Sequence, residues 1–224
     1  MSYTRTLLQL RTAVQINGQY ENSTDITTTV LNDYINRSIL EGYQLIVAKW
    51  EDYYTILGTT ISVVANTDSY ALPTDFYKLR KLEIQTTNGR WTKLLPHDLD
   101  SSHTFRTIIN RRYRYRLQAG NIVLVPTPTG PETIRPYYIP TAPQLAADGD
   151  TITFDVPQEE TLIIDLALRR CFRREDLPTN DINAQIAEDV ANLRSAADAR
   201  DAGEPFYLNP RGPDRDVDDW EDDY

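Results

Sequence analysis

The apolar pattern of this chain changes period twice. From Ile26 to Tyr53 apolar residues recur every three or four positions, between Thr59 and Phe154 they alternate in short runs, and after Pro157 the helical spacing returns. A period of 3.6 buries one face of a helix and a period of two buries one face of a strand, so no single element type serves all three stretches. The chain must build helices, leave them for a sheet, and come back. That order reads as α+β: a helical bundle with an inserted small antiparallel β-domain, followed by an extended C-terminal tail.

The spacing predicts a first helix over 4–16, with Leu7, Leu10 and Val14 on one face and Asn17-Gly18 as its stop. A long helix is predicted over 25–54, capped from Ser23, Thr24 or Asp25, with Asn32, Asp33, Asn36, Arg37, Gln44 and Lys49 on its polar side. Predicted strands are Thr59–Val64, Tyr77–Gln85, Trp91–Leu95, Tyr113–Gln118, Ile122–Val125, Thr133–Tyr138 and Thr151–Phe154, with hairpin turns at Asn88-Gly89 and Gly120-Asn121. The stretch "QEETLIIDLALRRCFRRED" opens with acids and closes with basic residues, which complements a helix macrodipole. Apolar residues cover most of its circumference, so this helix is expected at the centre of the bundle. Pro178 ends it, and Ile182, Ile186, Val190, Leu193 and Ala197 mark one face of a last helix. The boundaries follow: 1–56 and 157–203 form the two bundle halves, 57–156 the inserted β-domain and 204–224 an acidic arm.

Composition narrows the function. No apolar run approaches the roughly 20 residues that cross a bilayer, and "MSYTRTLLQLRTAVQ" lacks the basic leader and apolar block of a signal peptide. The expectation is a protein that stays in the cytoplasm where it is made, away from membranes. Cys171 is the single cysteine, which excludes an internal disulfide framework and a multi-cysteine metal site. The formal net charge of -10 argues against holding duplex nucleic acid by bulk electrostatics. Half of that charge sits in residues 205–224, where seven acids face Arg211 and Arg215. The same polar string carries Phe206, Tyr207, Leu208, Trp220 and Tyr224, anchors suited to a segment that orders on a partner.

Reactive constellations are few. "HDLDSSH", residues 97–103, gathers His97, Asp98, Asp100, Ser101 and His103, but catalytic groups are assembled in space, and this run reads as a solvated loop or helix cap. Glu159 and Glu160 are adjacent at a helix start and point about 100° apart, which suits the helix dipole better than paired carboxylate catalysis. Asp165 is expected to pair with Arg169 one turn later, and Cys171 to fill core space. Alternation in "NRRYRYRL" places Arg112, Arg114 and Arg116 on one strand face and Tyr113, Tyr115 and Leu117 toward the core. The arginines could bind phosphates or pair with acids of an adjacent subunit; the alternative is nucleic-acid binding through Arg111, Arg112, Arg114 and Arg116. The ridge Arg169, Arg170, Arg173 and Arg174 offers the same two readings. No catalytic residue, metal ligand or cofactor site is expected.

Four stretches taken in order carry a resemblance: "LNDYINRSILEGYQLIVAKWEDYY", "YALPTDFYKLRKLEI", "YRLQAGNIVLVPTP" with "IRPYYIP", and "ITFDVPQEETLIIDLALRRCFRRED". Together they resemble the head-to-tail adaptor, or connector, proteins of tailed bacteriophages over residues 25–200. The resemblance implies a structural virion protein of the neck, assembled in the host cytoplasm, with no enzymatic task. It implies a homo-oligomeric ring, usually a dodecamer, that binds the portal protein, extends the DNA channel and offers a platform to tail or nozzle proteins, while genomic DNA passes without specific binding. C-terminal segments of such adaptors reach onto the portal, which implies portal contacts for Phe206, Tyr207, Leu208, Arg211, Trp220 and Tyr224. Some adaptor-like proteins are linked to cell-wall hydrolysis, which keeps a tail-associated peptidoglycan hydrolase using Glu159 or Glu160 as a further alternative.

Overall fold

The computed structural model describes residues 3–85, 88–98 and 113–200, with backbone alone from 196 onward. Tyr3–Thr6 forms β1 and Leu7–Gly18 forms α1. Thr6 fixes that boundary: its side chain accepts from the Gln9 N–H while the Gln9 side chain accepts from the Thr6 N–H, a reciprocal cap. The residues ahead of the cap are therefore a strand and not the first turn of the expected helix.

Helix α2 spans Thr28–Val47 and stops short of the expected 25–54. Beyond it the chain turns, with the Trp50 N–H bonding to the Ile46 carbonyl at 3.0 Å, so Trp50 is still buried after the helix has ended. The strands that follow are β2 (Ile56–Leu57), β3 (Ile61–Val63), β4 (Ser69–Ala71), β5 (Phe76–Gln85), β6 (Trp91–Lys93), β7 (Leu95–Pro96), β8 (Arg114–Gln118), β9 (Asn121–Val125), β10 (Glu132–Pro140) and β11 (Thr151–Phe154). Helix α3 spans Pro157–Arg174, with proline in its first turn beside Glu159 and Glu160 and with Arg173 and Arg174 in its last. Helix α4 spans Asn180–Arg200.

Three sheets result among the described residues. One is a ribbon in which β1 runs antiparallel to β11, Tyr3 opposite Phe154. In the second, β10 lies between β5, which carries β6, and the short strands β2 and β3. The third has the order β4-β9-β8-β7, and its β7–β8 pair is parallel. The β8–β9 hairpin turns at Ala119 and Gly120, with φ of 49° and 76°, because Asn121 already pairs with Gln118. The turn thus falls one residue earlier than the expected Gly120-Asn121.

Three apolar clusters hold these layers. Leu7, Leu10 and Val14 of α1 meet Leu31, Ile35 and Ile39 of α2, Ile163 and Ala167 of α3, and Ile152 and Phe154 of β11. Leu82, Ile84 and Ile134 of the second sheet face Tyr70, Ile122 and Leu124 of the third. Ile186 and Leu193 of α4 close on Leu162 and Leu166 of α3 and on Ile46 and Trp50.

The expected helical bundle with one small antiparallel β-domain is therefore incorrect. Among the described residues the chain is a mixed structure of four helices and three sheets. Its largest cluster is not closed by helices alone, since the β1–β11 ribbon supplies Phe154, one of the most deeply buried side chains. The remaining strands divide between two sheets, one of them with a parallel pair.

Candidate functional site

Two sheets that pack over one core leave two strand edges beside a shared cleft. β5 pairs with β10 from Phe76 to Gln85 but with β6 only at Glu83, Ile84 and Gln85. β7 covers β8 only at Arg114 and Tyr115. Among the described residues, Phe76–Lys81 and Arg116–Gln118 are therefore each strand-paired on one side only. A cleft of about 690 Å³ lies between them, bordered by Phe76, Tyr77, Lys78 and Leu79 on one strand and by Tyr115, Arg116, Leu117 and Gln118 on the other. Tyr77 and Leu117 are exposed there. Arg116 is half-buried, and its Nε is buried with no acceptor among the described residues.

The ammonium of Lys78 and the guanidinium of Arg80 are engaged by acids outside β5. Lys78 and Arg80 both bind Glu51, and Arg80 reaches Asp52 at 2.6 Å, which ties the strand to the turns after α2. The Lys78 hydrogen bond and the two positive charges hold the Glu51 carboxyl below its usual range. The sequence offered a hint in the alternation of Lys78 and Arg80 and the acids Glu51 and Asp52, but not the register that joins them.

The family model for the SU10 adaptor protein matches residues 5–214. The chain belongs to the SU10 adaptor family. It is a structural head-to-tail adaptor of a bacteriophage. No curated protein matches it.

In this SU10 adaptor the residues singled out by sequence are dispersed. Arg114 and Arg116 lie half-buried on β8 while Arg112 is outside the described residues. Leu117, expected in the core, is exposed; β8 leaves the sandwich after Tyr115. Phe206, Tyr207, Leu208, Arg211, Trp220 and Tyr224 all lie outside the described residues, as do Asp100, Ser101 and His103. His97 is buried, not solvated, with its backbone N–H donating to the Tyr115 carbonyl at 2.7 Å.

Glu159 and Glu160 act as staples. Glu159 is buried and accepts from the Asp155 N–H at 3.0 Å, which caps the start of α3, and the Tyr54 hydroxyl donates to it at 3.5 Å. Glu160 accepts from the Tyr3 hydroxyl at 2.8 Å and pairs with Arg5 at 2.9 Å, fastening β1 to α3. Cys171 is buried, and burial pushes its thiol up to about 12, far from a reactive thiolate. The expected Asp165–Arg169 pair does not form: Arg169 and Arg170 both bind Glu41 of α2, at 2.7 Å and 2.6 Å. Among the described residues no cluster of three metal-ligating side chains occurs, and no helix is long and apolar enough to cross a membrane.

Proposed function

We propose that this SU10 adaptor forms the ring at the neck of the virion, bound to the portal on one side and to a tail or nozzle protein on the other. The observation that supports this reading is the presence of exposed apolar residues on two parts of the chain: Leu8, Ile16, Leu40 and Leu45 on α1 and α2, and Tyr77 and Leu117 at the cleft of the two sheets. A component that joins two bodies needs two such surfaces. In this reading 1–56 and 157–203 pack against neighbouring copies and the portal, and 57–156 presents its loops to the tail. Arg112, Arg114 and Arg116 serve a subunit or tail contact, and the arm carries Phe206, Tyr207, Leu208, Arg211, Trp220 and Tyr224 to the portal.

Acidity has a role in such a ring. Twelve copies at a net charge of -10 each sum to on the order of -120, a field that keeps genomic DNA from adhering to the channel it passes through. Native mass spectrometry of the full chain with and without its phage's portal tests the reading. A closed oligomer appearing on the portal supports it; a monomer that ignores the portal overturns it.

A further inference from the structure

We infer that the outer face of the second sheet, built by β5, β6 and β10, is a docking surface for an acidic polypeptide segment of a partner protein. The inference goes beyond the neck reading and does not depend on it. Strand register defines the face. Glu83 of β5 lies between Arg135 of β10 and Lys93 of β6, and Tyr137 of β10 lies between Leu57 of β2 and Lys81 of β5. Trp91 of β6 pairs with Gln85, two residues from Glu83. Directly paired residues share a face, as do residues two apart on one strand. All of these therefore lie on the side opposite Leu82, Ile84 and Ile134, which are buried toward the third sheet.

This face is held rigid before any partner arrives. The Arg135 guanidinium lies 4.0 Å from the centre of the Trp91 ring and 5.6 Å from that of Tyr137, and the Lys81 ammonium lies 4.8 Å from the Tyr137 ring. The Arg135 Nε–H donates to the buried Glu83 at 2.7 Å, and Lys81 pairs with the same carboxylate. An arginine fixed by two rings and a carboxylate has already lost its rotamer freedom, so a ligand that takes its terminal amino groups is spared that cost. Those groups have no acceptor among the described residues, and the side chain is 23% exposed.

Charge selects the occupant. Lys93 is exposed with no acid partner among the described residues, so Lys81, Lys93 and Arg135 outnumber Glu83 and leave the face positive on a chain of net charge -10. Thr86 and Thr87, in the β5–β6 turn, bring no charge that could cancel it. Carboxylates suit both the Arg135 fork and the Lys93 ammonium, and exposed Leu57 beside Tyr137 adds apolar area next to the arginine and aromatic types that dominate protein contacts. A nucleic-acid strand fits less well. Each ring already has a cation over it, which a stacking base would have to displace, and the surplus charge is small for a polyanion.

Fluorescence anisotropy of dye-labelled decaglutamate, titrated with the full-length protein, tests this, with a neutral glycine-serine peptide and an oligothymidylate of equal length as comparisons. The expected result is saturable binding of decaglutamate, none of the neutral peptide, and binding of the oligothymidylate at least ~10-fold weaker. Lys93→Glu should weaken decaglutamate binding ~10-fold, and Arg135→Lys, which keeps the charge but not the planar fork, by a similar factor. Lys93 is exposed, so its variant covers the case in which Arg135→Lys does not fold. Carbodiimide, which joins a carboxylate to a neighbouring amine, should couple the peptide to Lys93. No binding at millimolar peptide, binding indifferent to both substitutions, tighter binding of the oligothymidylate, or coupling of Lys93 to a second copy in place of the peptide would each overturn the inference. A chain that binds decaglutamate but ignores the portal would overturn the neck reading alone.

Discussion

Asp165 of α3 faces Asp189 of α4, and each carboxyl has one buried oxygen with no donor among the described residues. Burial first, and then the neighbouring acid, push Asp165 up to about 6 from an ordinary 3.8. Asp189 is raised as well, by burial and by Glu188 beside it.

The sign of the pH effect follows. Below the ordinary value both states are protonated and the pair costs nothing; as pH rises toward 6 the unfolded chain releases a proton that the folded chain retains, so stability falls through that window. Asp165→Asn should therefore stabilise the fold at pH 7 by on the order of 1 kcal/mol, after allowance for solvent screening. Urea denaturation at pH 7 and at pH 4 checks this. The gain should shrink toward zero at the lower pH.

The double arginine contact of Glu41 gives a second test. With Arg169 and Arg170 both bonded to it, Glu41→Ala leaves two cations on α3 without their α2 partner. A loss of roughly 1 kcal/mol is expected in low salt and less in 1 M salt, since the group is partly exposed. Chemical denaturation at the two ionic strengths separates the charge contribution from packing.

Phe154 tests the role of the ribbon. It is 1% exposed and its ring lies 5.7 Å from that of Tyr3 on β1. Phe154→Ala should cost about 3–5 kcal/mol, as large as any helix-core truncation, which a merely decorative edge strand would not show. The midpoint of thermal or urea unfolding reads this directly.

For the arm, removal of residues 205–224 should leave the far-ultraviolet circular dichroism of the folded part intact and abolish capture by portal rings. Undiminished capture of the truncated chain would remove the arm from the portal contact.

Much of this was legible. The period changes located α3, β5 and β9 to within a residue or two, because their apolar faces bury directly against neighbours. Tyr3–Thr6 was not legible as a strand: its pairing partner is nearly 150 residues away, and it runs straight into the helical spacing of Leu7, Leu10 and Val14. The extent of α2 was overestimated because Trp50 and Tyr53 continue the helical spacing through turns. Asp165 was assigned the nearest cation in sequence, whereas α2 brings Glu41 to Arg169 and α4 brings Asp189 to Asp165. The cleft depends on where β6 and β7 stop pairing, and no local pattern encodes that.

The ribbon also sets a schedule for synthesis. Residues 3–6 meet residues 151–154, and α1 packs on α3, so the first helix to leave the ribosome waits for nearly the whole chain. At ordinary elongation rates that interval is roughly 10–30 s. During it the apolar faces of α1 and α2 have only each other to pack against. A cell translating this chain therefore carries an unfinished core for most of each round of synthesis.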